Sequence, residues 1–467
     1  MADPKLAEGS VMRHVTVMSF TSSIGIMAIY LVDFFDIFFI SLLGHREVAA
    51  AAGYASTLLF FVSAMNIGLS VGAGALIAQE LGRAQAWYAR SIATTSAVFA
   101  ASLGIILPII LIPFLPFLIS LLGAEGEVAE MARGYLLIVL PATGLSGMSM
   151  VFVAAIRANG AAAWAMYPSL AGALVNLVFD PLMIFGLGMD LPGAATATVL
   201  ARIATFGLAF YAVTRHFDLV CRPNRAILHR YMRDIMSYSL PAVVSNLSAP
   251  VAMALVTRFI TVFGPEAVAG MAIIGRLSPV VFSVVSALSG SIGAIIGQNY
   301  GAGRVDRVSE AYLGAMKFLG VYIAIAMIIL VLLRDVLADA FGAQGQTREM
   351  LFIFCGPYAL IAFFNGALFI SCAAFNSLGH PRISPSLGWA KSTIGLFFFV
   401  SIGTHLYGMQ GLAYGLLLNA ALFAAIANWM SLRIIRKLPT QPHLASTDTF
   451  QQEDRQIAVE YGKPLYS

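Results

Sequence analysis

The sequence predicts an all-α integral membrane protein with about twelve transmembrane helices in two pseudo-symmetric six-helix lobes, and three observations predict it. Hydrophobic residues make up 59% of the chain and charged residues 11%, with a mean hydropathy of +0.86. Apolar stretches able to cross about 30 Å of hydrocarbon, roughly 20 residues each, recur from Val15 to Arg433 with no soluble block between them. The two halves of the chain also repeat each other at a fixed offset, as "GALIAQELGRA" from Gly74 and "GAIIGQNYGAG" from Gly293 illustrate.

Taken in order, the apolar runs predict helices over 15–43, 51–81, 88–121, 131–158, 164–188 and 193–215 in an N-lobe spanning 15–215. A C-lobe spanning 235–435 follows, with helices over 235–262, 268–300, 307–338, 347–377, 383–406 and 411–435. The opening "MADPKLAEGSVMRH" (1–14) is polar and mixed in charge, and the apolar helix after it exceeds the core of a signal peptide, so it reads as a cytoplasmic N-terminus. Basic residues gather in alternate loops: Arg83 and Arg90 after helix 2, Arg157 after helix 4, Arg304 and Arg307 after helix 8, Arg382 after helix 10. Five arginines occupy the connection "RHFDLVCRPNRAILHRYMRD", whose part 216–234 reads as a basic linker. The opposite loops hold Glu125, Glu127, Asp190 and Glu266, so the basic loops and both termini are expected in the cytoplasm. The polar stretch 436–467 reads as a cytoplasmic tail.

Composition excludes several functions. Three cysteines without repeated spacing give neither a disulfide framework nor a zinc site, and seven scattered histidines form no metal pairing. No cofactor and no structural metal are expected. The net charge of +4 is spread over short juxtamembrane loops that lack interleaved aromatic platforms, which argues against nucleic acid. No nucleophile with a base suggests a membrane enzyme, so no residue reads as catalytic, and no filter-like loop suggests a channel.

The halves differ where it matters chemically. Asp36 aligns with about Val256, Asn176 with about Gly395 and Asp180 with about Phe399, so the N-lobe alone carries these polar groups. A charge in the middle of a bilayer costs upwards of about 2.5 kcal/mol, and a helix keeps one mainly where it faces a cavity or a partner. Asp33 and Asp36 lie on one helix face, as do Asn176 and Asp180 in "NLVFDPLMIFGLG". Pro181 has no N–H, which leaves the Leu177 carbonyl without its helical donor, and Thr196 and Thr198 add hydroxyls. Two close carboxylates in low dielectric do not both stay ionised cheaply, so the cluster can hold a proton; alternatively, its oxygens suit a small hard cation. Arg202, one turn after Thr198, either neutralises Asp180 or leans toward the cytoplasm, while Arg258, Arg276 and Lys391 read as cations snorkelling from helix ends.

These motifs together resemble the multidrug and toxic compound extrusion (MATE) family over residues 15–435. The likeness rests on "DIFFISLLGHREVAAAA", the paired helix ends "GAGALIAQELGRA" and "GAIIGQNYGAG", "IRANG", and "NLVFDPLMIFGLGM" followed by "GAATAT". It selects Asp36 over Asp33. Its prokaryotic DNA-damage-inducible-F-like branch implies a site of Asp36, Asn176, Asp180 and Thr198 with Tyr135 beside it. The resemblance further implies a monomeric inner-membrane antiporter of a bacterium or archaeon, exporting amphipathic, mostly cationic organic compounds against H+, or against Na+ held by those same four residues. A flippase for a lipid-linked precursor belongs to the same superfamily and is the main rival, though its pyrophosphate headgroup calls for central cations. Two departures stand out. The C-lobe acids of the sodium-coupled branch are missing from "LPAVVSNLSAPVAMAL" and "FFNGALFISCAAF", and the proline usual early in helix 1 is absent, leaving Gly25 as the place for a bend.

Overall fold

The computed structural model describes residues 5–42 and 46–439. Expectations that fall on residues 1–4, on the Leu-Gly corner at 43–44 and on 440–467 of the tail lie outside the described residues.

The first half of the chain forms α1 (Val11–Leu42), α2 (Arg46–Gly82), α3 (Ala86–Leu121), α4 (Gly126–Val139), α5 (Thr143–Ala158), α6 (Ala162–Pro181) and α7 (Asp190–Tyr211). The second forms α8 (Arg225–Asn246), α9 (Ser248–Thr261), α10 (Pro265–Val281), α11 (Ser283–Gly301), α12 (Val305–Ala340), α13 (Gly345–Cys355), α14 (Pro357–Ser377), α15 (Ile383–Ala390) and α16 (Leu396–Arg436). Ten spans among the described residues are long and apolar enough to cross a membrane, and α10 with α11, bent by 45°, makes an eleventh. The last of the ten, Ile383–Arg436, has 54 residues, about 80 Å of helix and too long for one crossing. Its backbone turns at Tyr407 and Gly408 (φ 57°), dividing it into two crossings and giving the twelve expected. Gly403 faces Gly411, Gly415 faces Phe399 and Gly395 faces Asn419, the pairing of an antiparallel helical hairpin closed at that turn.

Prolines account for several shorter pieces. The helix expected over 131–158 is interrupted at Leu140–Ala142, around Pro141. The one expected over 235–262 breaks at Leu247, because the Pro250 ring cannot sit against the carbonyl four residues back, that of Asn246. That helix also begins earlier than expected, at Arg225, inside the stretch read as a linker. Ile227, Tyr231 and Ile235, four apart, pack one apolar face against the N-lobe core of Leu69, Ile77 and Phe152. α1 runs as a single helix, and Gly25 serves close packing against Met166 of α6 rather than a break.

The internal repeat is written into the backbone. Ala84 and Gly303, Gly123 and Gly342, Gly126 and Gly345, and Gly160 and Gly379 are pairs at the same offset as Gly74 and Gly293, and all eight have positive φ. Contacts between the lobes obey the same relation. α2 packs on α8 and α1 on α11, with α2 against α11 at the centre. A Cβ at Gly82 would collide with the Gln298 carbonyl oxygen, and one at Gly301 would collide with that of Gln79. These contacts gather at the end that carries Arg83, Arg304 and Arg307. Deeper in, Gly68 and Gly72 bring α2 onto the backbone of Val243 and Ser239 in α8. Small residues permit such approach where lipid gives no hydrophobic drive.

The α16 hairpin yields a direct test. Gly403→Ala drives a Cβ into the Gly411 carbonyl oxygen, an overpacking that costs about 1–3 kcal/mol. Thermal unfolding of the detergent-solubilised variant should therefore show a lowered midpoint, and a wild-type midpoint would refute the close pairing.

Candidate functional site

α1 carries Asp36 about 9 Å below its Leu42 end, at about 1.5 Å per residue. α6 lies against α1 and brings Asn176 and Asp180, one helical turn apart, to the same level. Past Pro181 the helix widens into a π-turn over Leu182–Gly186, closed by the Leu187 N–H donating to the Leu182 carbonyl at 2.9 Å. An edge-to-face contact of Phe39 with Phe185 and the core of Ile40, Leu136, Ile184 and Leu191 wall the cluster on the side of the acid-rich end.

Asp180 is fully buried and Asn176 nearly so, whereas Asp36 is half-buried and Asp33 exposed. One amide brings the carboxyl groups of Asp36 and Asp180 together. Two close carboxylates in low dielectric do not both stay ionised cheaply, so the pair suits a proton. Asn176, with its amide nitrogen toward the acids, donates to Asp36 Oδ1 at 2.6 Å and to Asp180 Oδ2 at 3.2 Å. The reverse orientation would set its oxygen against acceptors. Asp180 Oδ1 remains buried without a partner.

Around this core the other residues divide. Thr198 of α7 donates to the Ala194 carbonyl of its own helix at 3.0 Å, and Tyr135 of α4, half-buried, packs against the core that walls the cluster. Thr196 donates to the Pro192 carbonyl of its own helix at 2.8 Å and takes no part in the cluster. The Arg202 guanidinium donates to the Val139 carbonyl at 3.0 Å, at the C-terminal end of α4, rather than to Asp180. A helix end attracts a cation through its unpaired carbonyls, and that attraction has won over the aspartate.

The chemistry of this donor set differs for the two coupling ions. A sodium ion needs several oxygens at once, whereas a proton needs only one carboxyl group of a close pair. Among the described residues, no group of three or more His, Cys, Asp or Glu side chains is assembled for a metal.

Lys391 departs from the snorkelling expected of it. It lies within the Ile383–Arg436 span, on a π-turn over Lys391–Gly395, and its Nζ donates to Asn365 Oδ1 of α14 at 2.5 Å. The side chain is thus drawn into the C-lobe by an interior acceptor. Its place in the eleventh helix of the expected map was legible, but its partner, on the helix before, was not.

Comparison with known proteins adds to this picture. The family model described as MatE matches residues 21–182 and 241–387, more than half of the chain, with one matched block in each lobe. A Shewanella oneidensis protein named FAD transporter is 27% identical over 447 residues, covering 92% of this chain and 96% of that protein. Multidrug export protein MepA of Staphylococcus haemolyticus is 23% identical over 429 residues, covering 90% of this chain and 93% of its own. A solved outward-facing multidrug resistance MATE transporter of the MOP superfamily superposes with a TM-score of 0.86 at 23% identity, covering 93% of this chain and 98% of that one; the likeness is one of fold.

A proton on the acid pair would have a spectroscopic consequence. Infrared spectra of the purified protein at neutral pH should contain a protonated-carboxyl band that shifts in D2O and disappears in Asp180→Asn. Spectra without such a band in the wild type would remove the proton from the Asp36–Asp180 contact.

Proposed function

The chain belongs to the MatE family of membrane transporters, and from that membership and the acid pair of its first lobe we propose that it is a secondary antiporter exporting amphipathic organic cations in exchange for protons. The observation that carries this reading is the buried Asp180 beside the half-buried Asp36 with Asn176 donating to both. Such a pair changes its charge with a single proton, inside a fold built of two lobes related by an axis along the membrane normal.

Lysine and arginine counts in the loops put the basic end, where the lobes are joined, in the cytoplasm. On that orientation the lobes meet at the cytoplasmic end, and a proton reaches the acid pair from the opposite side. A proton entering from outside neutralises the pair and removes its attraction for a bound cation, which is released. With the pair loaded, the lobes (15–215 and 235–435) rock to open the basic end; the proton then leaves to the cytoplasm, and the restored negative charge binds the next cation. Substrate and proton compete for the same charge, so each weakens the other's binding by the same factor. Thr198 of α7 and Tyr135 of α4 flank the pair, and Asp33, exposed one turn further toward the middle of the membrane, extends the negative surface on which a cation arrives. Sodium, held by Asp36, Asn176, Asp180 and Thr198, is the alternative coupling ion. No cofactor enters the cycle, the inner membrane is the expected location, and the protein is expected to work as a monomer.

A second substrate class is favoured by one specific observation. Lys391 places a cation inside the C-lobe, bonded to a neutral amide and not to a carboxylate, and the S. oneidensis relative is named for a phosphate-bearing compound. Export of anionic nucleotides, or flipping of a pyrophosphate-linked lipid, would use such a group.

Purified protein in liposomes separates these readings. An imposed proton gradient, and not a sodium gradient, should drive efflux of a cationic dye such as ethidium. Asp36→Asn and Asp180→Asn should lower the gradient-driven rate at least tenfold, while Tyr135→Phe keeps a measurable fraction. Equal rates for wild type and Asp36→Asn would reject the acid pair as the coupling site. Proton-driven efflux of FAD that ethidium does not compete with would instead favour the anionic class.

A further inference from the structure

Beyond the acid pair, the structure carries a second, symmetric arrangement of buried polar groups at the basic end. Gln79 and Gln298 occupy equivalent places in "GALIAQELGRA" and "GAIIGQNYGAG". Each reaches into the opposite lobe. Gln79 Nε2 donates to the Ser377 carbonyl at 2.8 Å, and Gln298 Nε2 donates to the Ala158 carbonyl at 2.5 Å. Ser377 and Ala158 are themselves equivalent under the repeat and end α14 and α5. The last carbonyls of a helix have no donor within it, so each glutamine caps a helix that belongs to the other lobe.

One amide oxygen is held as well: Gln298 Oε1 accepts from the Leu6 N–H at 2.9 Å. Gln79 and Gln298 are 4% and 1% exposed. Water therefore does not stand in for these partners while the end is shut. Gly82 and Gly301, which touch the backbone of Gln298 and Gln79, leave no room for a side chain beside the two amides.

Through Leu6 a third segment joins. A short 3-10 turn, Lys5–Ala7, is seated with Leu6 and Ala7 buried, and its carbonyls and that of Gly9 beyond it receive Asn299 at Leu6 (3.1 Å), Arg304 at Ala7 (2.7 Å) and Arg307 at Gly9 (2.9 Å). The Leu6 side chain meanwhile lies over Gly160 of the first lobe, where a Cβ would come within 3.2 Å of Leu6 Cδ2. Polar bonds hold this strap to the second lobe, and an apolar contact holds it to the first.

We infer that Gln79 and Gln298 are the paired gate residues of the basic end, positioning the two lobes for closure, with the Lys5–Gly9 strap fastened to one of them as a seal. The inference rests on the alternating-access reading above. Separating the lobes at this end strands two amides and two helix-end carbonyls together, and a two-fold arrangement makes the opening concerted. The glutamines touch neither substrate nor proton; they set the ratio of the two conformers. A buried carbonyl left without its donor shifts that ratio by about tenfold, or about 1.4 kcal/mol.

The test is a distance measurement on the full chain in lipid nanodiscs. Spin labels at Glu125→Cys and Gln344→Cys, exposed positions equivalent under the repeat at the acid-rich end, are introduced with Cys221, Cys355 and Cys372 changed to Ala. Double electron–electron resonance of this reference should resolve a long and a short population whose ratio depends on pH and on added ethidium. Gln79→Met and Gln298→Met should each raise the short population relative to the long by about tenfold. Leu6→Ser, which leaves both amides intact, should shift it the same way by loosening the strap. Distributions like the reference in all three variants would overturn the gate while leaving alternating access in place. A reference that stays in one population at every pH and ethidium concentration would overturn both.

Discussion

The bridging of Asp36 and Asp180 by the Asn176 amide governs the rest of the structure, because two carboxylates on one donor in low dielectric do not both stay ionised cheaply. One acid of the pair is fully buried and the other half-buried. The close packing of α1 on α6 at Gly25 and the π-turn after Pro181 keep that arrangement in register.

Symmetry and its breakage do different work. The repeat supplies two lobes with the same turns, seen in the positive φ of Gly160 and Gly379, and a closed end in which Gln79 and Gln298 reciprocate. The polar interiors do not follow it. Where the first lobe sets acids against an amide, the second sets Lys391 against Asn365. The scaffold is thus symmetric while its two polar interiors are of opposite charge.

Much of this was legible in the residues. Hydropathy and the internal repeat carry the two-lobe, twelve-helix fold, since crossing a bilayer demands about 20 apolar residues each time. The proximity of Asp36 to Asn176 and Asp180 was legible because acids are expensive in lipid and share faces at spacings of three and four. Three features were not. The start of α8 lay hidden in a run of arginines whose net polarity masked the stripe of Ile227, Tyr231 and Ile235. Arg202 was expected either on an acid or leaning toward the cytoplasm, yet it binds the end of α4, an acceptor that appears only once α4 and α7 pack together. The glutamines were visible as a repeat, but their partners, at sequence separations of 298 and 140, appear only once the lobes meet.

The central claim, that substrate and proton exchange on one acid pair, is tested most directly by following protons during binding. Purified protein in a weakly buffered detergent solution near neutral pH is titrated with ethidium while a pH indicator is read. Wild type should release protons in proportion to the ethidium bound, and Asp36→Asn should bind without release. Ethidium binding to the wild type with no proton release, or equal release by the variant, would contradict the account.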